Sequence, residues 1–127
     1  MKVNPDEPIA GLLAPLFALR SEGDLGIGDV KSLRQFIDWA ATAGFRLIQL
    51  LPINETGNDN SPYNAISSVA IEPATLDVSP EAIPDLTHEV FFKEIRAGLS
   101  RGPVNYPAVK KLKRSLLEKA FDSFSTK

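Results

Sequence analysis

Residues 53–64 read Ile-Asn-Glu-Thr-Gly-Asn-Asp-Asn-Ser-Pro-Tyr-Asn. This stretch gathers carboxylates (Glu55, Asp59), side-chain amides (Asn54, Asn58, Asn60, Asn64), hydroxyls (Thr56, Ser61) and one phenol ring (Tyr63). Carboxylates accept hydrogen bonds, whereas amides and hydroxyls both donate and accept. Pro62 presets the backbone beside the ring. An apolar run at 46–52 precedes the stretch, and in α/β folds ligands bind beyond the carboxyl ends of strands. On these grounds residues 53–64 are the best site candidate in the chain.

Other residues offer weaker chemistry. Gly23, Gly26 and Gly28 have neither the GxGxxG spacing nor that of a P-loop, so they read as turn glycines rather than a phosphate cradle. His88 is the sole histidine. It has no ligand partners at metal-site spacing and reads as a surface residue near a helix start. The acidic residues of the 53–60 loop do not have EF-hand spacing, so no metal site is expected. Lys110, Lys111, Lys113 and Arg114 form a basic run. At helical spacing they read as a solvated face opposite Leu112 and Leu116, with no nucleic-acid partner expected. Trp39 lies three residues after Phe36 and is expected to pack in the core or against another helix.

The composition bounds what these residues can belong to. The chain has 127 residues, 43% hydrophobic and 24% charged, with a net charge of -2, values ordinary for one globular domain. That charge gives no overall pull toward nucleic acid. Charge is nevertheless divided: residues 1–92 carry 5 Lys/Arg and 13 Asp/Glu, and residues 93–127 carry 9 and 3. There are no cysteines, which excludes disulfides and thiolate metal ligands and fits a reducing compartment. The polar, proline-bearing start has no apolar signal region. No apolar run approaches the roughly 20 residues that span a bilayer. A soluble, cytoplasmic protein with no membrane contact is expected.

Several elements must position the loop. Residues 1–8 read as a loose lead-in. An apolar run at 9–19, broken by Pro15, suits a buried strand, and the glycine-rich stretch 20–28 a loop. Asp29 is a helix N-cap. Val30, Leu33, Phe36, Ile37, Ala40 and Ala41 then recur at helical spacing up to Gly44 at the C′ position. The run 46–52 reads as a second buried strand. Strand, helix and strand in this order, with strands apolar on both faces, predict a right-handed βαβ unit. Residues 65–79 are expected to be irregular, with room for a short strand, and 81–86 to form a turn or a broken helical turn. A helical pattern runs from Thr87 through Val90, Phe91 and Ile95 to Leu99, where Ser-Arg-Gly-Pro stops it. Pro107 suits the first position of a last helix, whose apolar stripe is Val109, Leu112, Leu116, Leu117, Ala120, Phe121 and Phe124.

Three stretches, in order, resemble one family. They are Gly11-Leu-Leu-Ala-Pro-Leu-Phe-Ala-Leu-Arg-Ser with Asp24-Leu-Gly-Ile-Gly-Asp29; Phe36-Ile-Asp-Trp-Ala with Gly44-Phe-Arg-Leu-Ile-Gln-Leu-Leu-Pro-Ile-Asn-Glu-Thr-Gly57; and Asn60-Ser-Pro-Tyr-Asn-Ala-Ile-Ser-Ser68. Together they resemble the start of the amylomaltases, the 4-α-glucanotransferases also called disproportionating enzymes. The resemblance implies an α/β fold, a (β/α)8 TIM barrel of which this chain would hold an incomplete part. Residues 9–79 would be its first βαβ portion with the substrate loop 53–64, and residues 80–127 a helical insertion segment.

The resemblance also implies a reaction. An α-1,4-glucan is cleaved, and its glycosyl part passes to the 4-OH of a second glucan with the anomeric configuration retained. Retention calls for a carboxylate nucleophile and a carboxylic acid/base about 5 Å apart, and no cofactor. In the family those carboxylates come from later strands of the barrel. None of Asp24, Asp29, Glu55, Asp59 and Glu72 matches the family's catalytic motifs, and a complete barrel needs about 250 residues. A truncated chain without catalytic residues, inactive alone, is therefore expected.

One functional position carries over. The tyrosine of Ser-Pro-Tyr, Tyr63 here, stacks on the sugar in the family. An aromatic face covers the C–H face of a pyranose, and Ser61, Asp59 and Asn64 would hydrogen-bond sugar hydroxyls. Where some members place a second aromatic in this loop, this chain has Asn58 and no platform. The expected partner is an α-1,4-glucan or maltooligosaccharide. Two alternatives are a stand-alone glucan-binding or interaction module and a hydrolase of the broader α-amylase clan. Unpaired strand edges would favour self-association.

Overall fold

The computed structural model describes residues 6–95 and 102–126. Strand β1 (Gly11–Ala14) and strand β2 (Leu47–Leu50) pair in parallel, in the register Gly11 with Leu47 through Ala14 with Leu50. Helix α1 (Val30–Thr42) connects them, so the expected βαβ order is present. Parallel strands need such a crossover, because a tight turn cannot reverse the chain twice.

Both ends of α1 follow from the sequence. Asp29 is extended, and its Oδ1 accepts from the Ser32 N–H at 3.0 Å and from the Ser32 hydroxyl at 3.1 Å. At the other end Gly44 adopts φ +88°, where a side chain would be strained. The Gly44 N–H donates to the Ala41 carbonyl and the Phe45 N–H to the Ala40 carbonyl. This paired closure satisfies two carbonyls that the helix would otherwise leave open.

The strands are less covered than expected. Each has a strand partner on one side only among the described residues, and Leu13 and Leu47 are exposed. Trp39, expected in a core or against another helix, is 55% exposed and stacks on Phe36 of its own helix, with ring centroids 5.5 Å apart. Burial instead concentrates on the far side of the chain. Helix α2 (His88–Ile95) and helix α3 (Tyr106–Ser125) pack against each other and against two loops. Leu25, Val78, Leu86, Leu116 and Ala120 form one buried cluster, and Ile27, Ala74 and Val109 a second. The glycine-rich loop therefore supplies core residues, Leu25 and Ile27, that its turn-like composition concealed.

Gly28 lets this loop lie flat on the chain. A Cβ there would stand 2.2 Å from the Leu16 carbonyl oxygen and 2.7 Å from Leu19 backbone atoms. The Gly28 N–H also donates to the Phe17 carbonyl at 2.9 Å, fixing the loop to the 3-10 turn Leu16–Ala18.

Later elements follow their punctuation with small shifts. Residues 65–79 contain two isolated antiparallel bridge partners, Ala65 and Ile71, and a 3-10 turn at Pro73–Thr75. The turn expected at 81–86 is present and starts from Ser79, whose hydroxyl accepts from the Ala82 N–H. Leu99 and the Ser-Arg stop lie outside the described residues. Asn105 caps α3 by accepting from the Ala108 N–H at 3.1 Å, which puts Pro107 one residue beyond the expected first position.

Lys113 corrects the reading of the basic run. Lys111 and Arg114 are exposed, but Lys113 is 1% exposed, among the most buried side chains described. Its ammonium donates to the Leu76 carbonyl at 2.6 Å and stands 3.5 Å from Asp29 Oδ2. One lysine thus joins α3 to the cap of α1 and to the end of the 3-10 turn at Pro73–Thr75. Burial pulls its pKa below the ordinary lysine value, against the opposing pull of Asp29, Asp77 and Asp24.

Two expectations follow. Gly28→Ala should lower unfolding free energy by about 1–3 kcal/mol or more, because rigid backbone faces the added methyl; a urea midpoint equal to wild type would contradict this packing. Lys113→Ala should cost about 3–5 kcal/mol by stranding Asp29, and Lys113→Met, which keeps the apolar stem, should cost less. Urea unfolding checks both, and two wild-type-like variants would show the buried amine to be dispensable.

Candidate functional site

The loop after β2 turns back on itself and is stitched to the segment that follows. Thr56 bridges Ala65 and Asn54 bridges Ile71, both antiparallel. The Ile66 N–H donates to the Glu55 carbonyl at 2.9 Å, the Glu55 N–H to Ala70 at 2.8 Å, and the Glu72 N–H to Ile53 at 3.0 Å. Between these rungs residues 57–64 form the tip. Asn60 takes a left-handed backbone there, φ 53°, a conformation asparagine tolerates better than most residues.

Three of the expected site residues come together at the tip through one carboxylate. Asp59 Oδ2 accepts from the Asn64 amide at 2.7 Å, and Asp59 Oδ1 from the Ser61 N–H at 3.2 Å. These bonds hold the Asp59 pKa below its ordinary value, the Asn64 bond contributing most. Asp59 therefore closes the turn. Tyr63, between Pro62 and Asn64, projects from this closed turn and is 74% exposed.

Beneath the tip lies a residue that sequence reasoning passed over. Glu72 is 6% exposed. Its Oε2 accepts from the Thr56 N–H at 3.0 Å and the Thr56 hydroxyl at 2.8 Å. Its Oε1 accepts from the Ala74 N–H at 3.3 Å and faces Lys110 at 3.5 Å. Burial raises its pKa, but the Thr56 and Ala74 bonds and the Lys110 charge outweigh burial and leave it below the ordinary value. Burial and the Glu72 charge also push up the Tyr106 phenol at the start of α3. The sequence signal was faint: Glu72 precedes Pro73 and caps the short turn after it.

Two hollows border this carboxylate. A cleft of about 350 Å³ separates the loop from α3, lined by Glu55, Thr56, Glu72, Lys110 and Arg114 among others. A smaller one, about 30 Å³, lies under the tip and is bounded by Phe17, Asn60, Pro62, Glu72 and Tyr106. Among the described residues, no group of three His, Cys, Asp or Glu side chains is placed to hold a metal ion, and no helix is long and apolar enough to cross a membrane. His88 is exposed and stacks on Phe92. The site so built offers a protruding aromatic ring flanked by hydrogen-bonding groups, on a loop fixed from below.

Comparison with known proteins finds relatives of nearly the whole chain. The family model described as 4-alpha-glucanotransferase matches residues 14–127. A 4-alpha-glucanotransferase of Chlamydia trachomatis is 36% identical over 118 residues, covering 90% of this chain and 22% of the relative. The 4-alpha-glucanotransferase DPE2 of Oryza sativa is 38% identical over 120 residues, covering 88% of this chain and 12% of the relative. Among solved structures, amylomaltase from Streptococcus agalactiae in complex with acarbose superposes with a TM-score of 0.78 at 26% identity, covering 95% of this chain and 24% of that one. The chain thus spans about a fifth of the length of several curated relatives it matches.

Asp24 has a lowered pKa as well: burial raises it, and the Arg20 side chain and the Gly26 and Ser21 N–H groups outweigh that. A carboxyl whose folded pKa is depressed stabilises the fold fully above its unfolded value, about 4, and loses that contribution as pH falls through the folded value. The urea midpoint should therefore drop between pH 5 and pH 3, and less steeply for Glu72→Gln. Equal slopes for wild type and variant would contradict the Glu72 assignment.

Proposed function

The chain belongs to the 4-alpha-glucanotransferase family, and from that premise we propose that it is the amino-terminal part of a 4-α-glucanotransferase, with the Tyr63 loop as glucan-contact surface. The enzyme transfers α-1,4-glucan segments between maltooligosaccharides or starch-type glucans by a retaining double displacement, without a cofactor. The observation that carries this reading is the exposure of the Tyr63 ring on a turn that Asp59 closes. An unsupported loop would have to be ordered by the ligand, at a cost in affinity; a preformed one is not.

Each residue of the turn has a role. Tyr63 covers the C–H face of a pyranose. Asn64 retains an amide oxygen and a second N–H beyond its bond to Asp59, and with the Ser61 hydroxyl can meet sugar hydroxyls. Asp59 acts mainly by orienting these two. The nucleophile and acid/base carboxylates, about 5 Å apart in a retaining enzyme, belong to later strands beyond residue 127. Those strands would pair with the uncovered edges of β1 and β2 to complete a barrel, and the 127 residues alone would not turn over glucan.

In the full-length gene product, Tyr63→Ala should raise KM for maltooligosaccharides about tenfold, roughly 1.4 kcal/mol, with kcat within about threefold because the contact is made in ground and transition states alike. Tyr63→Phe, which keeps the ring, should stay near wild type. An unchanged KM in Tyr63→Ala, or turnover by the 127-residue chain, would refute the corresponding part of the proposal.

A further inference from the structure

Glu72 meets hydrogen-bond donors or an opposite charge from three separate parts of the chain. Thr56 belongs to the loop after β2, Ala74 to the 3-10 turn Pro73–Thr75, and Lys110 to α3. A buried carboxylate with fewer donors would pay a desolvation penalty, so the three elements are held at the separations that satisfy it. Thr56 is also the rung opposite Ala65, two residues beyond Tyr63. Pro62, the residue before Tyr63, borders the same small hollow as Glu72 and Tyr106. The route from carboxylate to ring is therefore short: Glu72 to Thr56, across one bridge to Ala65, and on to Tyr63.

We infer that Glu72 is a positioning residue for the glucan contact, setting how the loop presents the Tyr63 ring and tying that presentation to α3 through Lys110. The inference rests on the reading of Tyr63 as the glucan contact. It assigns to the segment after the loop a function in substrate affinity. Replacing Glu72 by Gln leaves one oxygen for donors that now share two, so Thr56 or Ala74 loses its partner. The loop then samples orientations in which the ring does not meet the sugar.

A double-mutant cycle on the full-length gene product tests this, read as KM and kcat for a maltooligosaccharide well below the melting temperature. Glu72→Gln should raise KM about five- to tenfold with kcat within about threefold. In a Tyr63→Ala background the same change should raise KM less than about twofold, because the ring it positions is gone. Thr56→Val, which removes only the hydroxyl donor, should raise KM about two- to threefold and keeps the test open should Glu72→Gln fold poorly. Full, independent effects of Glu72→Gln and Tyr63→Ala would overturn the inference, as would a fall in kcat at constant KM, the mark of lost folded enzyme. A Tyr63→Ala variant with wild-type KM would instead defeat the reading of Tyr63 itself, and this inference with it.

Discussion

A loop with only isolated bridges needs bonds besides those of a ladder, and here one buried carboxylate adds them at its base. Glu72 accepts from the Thr56 N–H and hydroxyl and from Ala74, and faces Lys110. Regular sheet supplies hydrogen bonds by repetition, whereas residues 53–72 have two single bridges. Backbone donors at Thr56, Ser61, Val69 and Ala70 find side chains, and a charged acceptor makes roughly twice the hydrogen bond of a neutral one. The loop's geometry depends on this constraint, and the exposed ring of Tyr63 on the loop's.

The same device recurs elsewhere in the chain. Asp29 caps α1 and meets the buried ammonium of Lys113, which also takes the Leu76 carbonyl. Asp24 gathers Ser21, Gly26 and Arg20. The short sheet buries little of its own apolar surface, so α3 is the piece that organises these loops. Val109, Leu112, Leu116, Leu117 and Ala120 of its expected stripe join the two clusters, whereas Phe121 and Phe124 at its end are exposed, and its lysines reach two of the carboxylates. Such charges are weak sources of net stability, since desolvation offsets attraction, but strong sources of geometric definition when every partner is present.

Much of this was legible in the residues. Asp29 and Gly44 marked both ends of α1, because a capping carboxylate and a left-handed glycine are local requirements. The apolar runs either side of α1 marked the parallel pair for the same reason. The polar run 53–64 marked the loop after the second strand. What stayed hidden depends on distant partners. Lys113 sits four residues after Val109 and three before Leu116, within the buried stripe, yet its charge argued for solvent until Asp29 and Leu76 came into place. Glu72 read as one acid among several, because Thr56 and Lys110 lie 16 and 38 residues away. Leu25 and Ile27 were masked by their glycine neighbours, and Trp39 by the expectation that a tryptophan on an amphipathic helix is covered within the same stretch of chain.

The proposed glucan contact is preformed, because the Tyr63 turn is fixed by Asp59 at its tip and Glu72 at its base. A crystal structure of the full-length gene product with acarbose or a maltooligosaccharide bound tests it most directly. The Tyr63 ring should lie flat on a sugar face at van der Waals distance, about 3.5–4 Å, with the Thr56–Glu72 bonds intact. A glucan bound in the active cleft with Tyr63 turned to solvent, or with Glu72 released from Thr56, would contradict it.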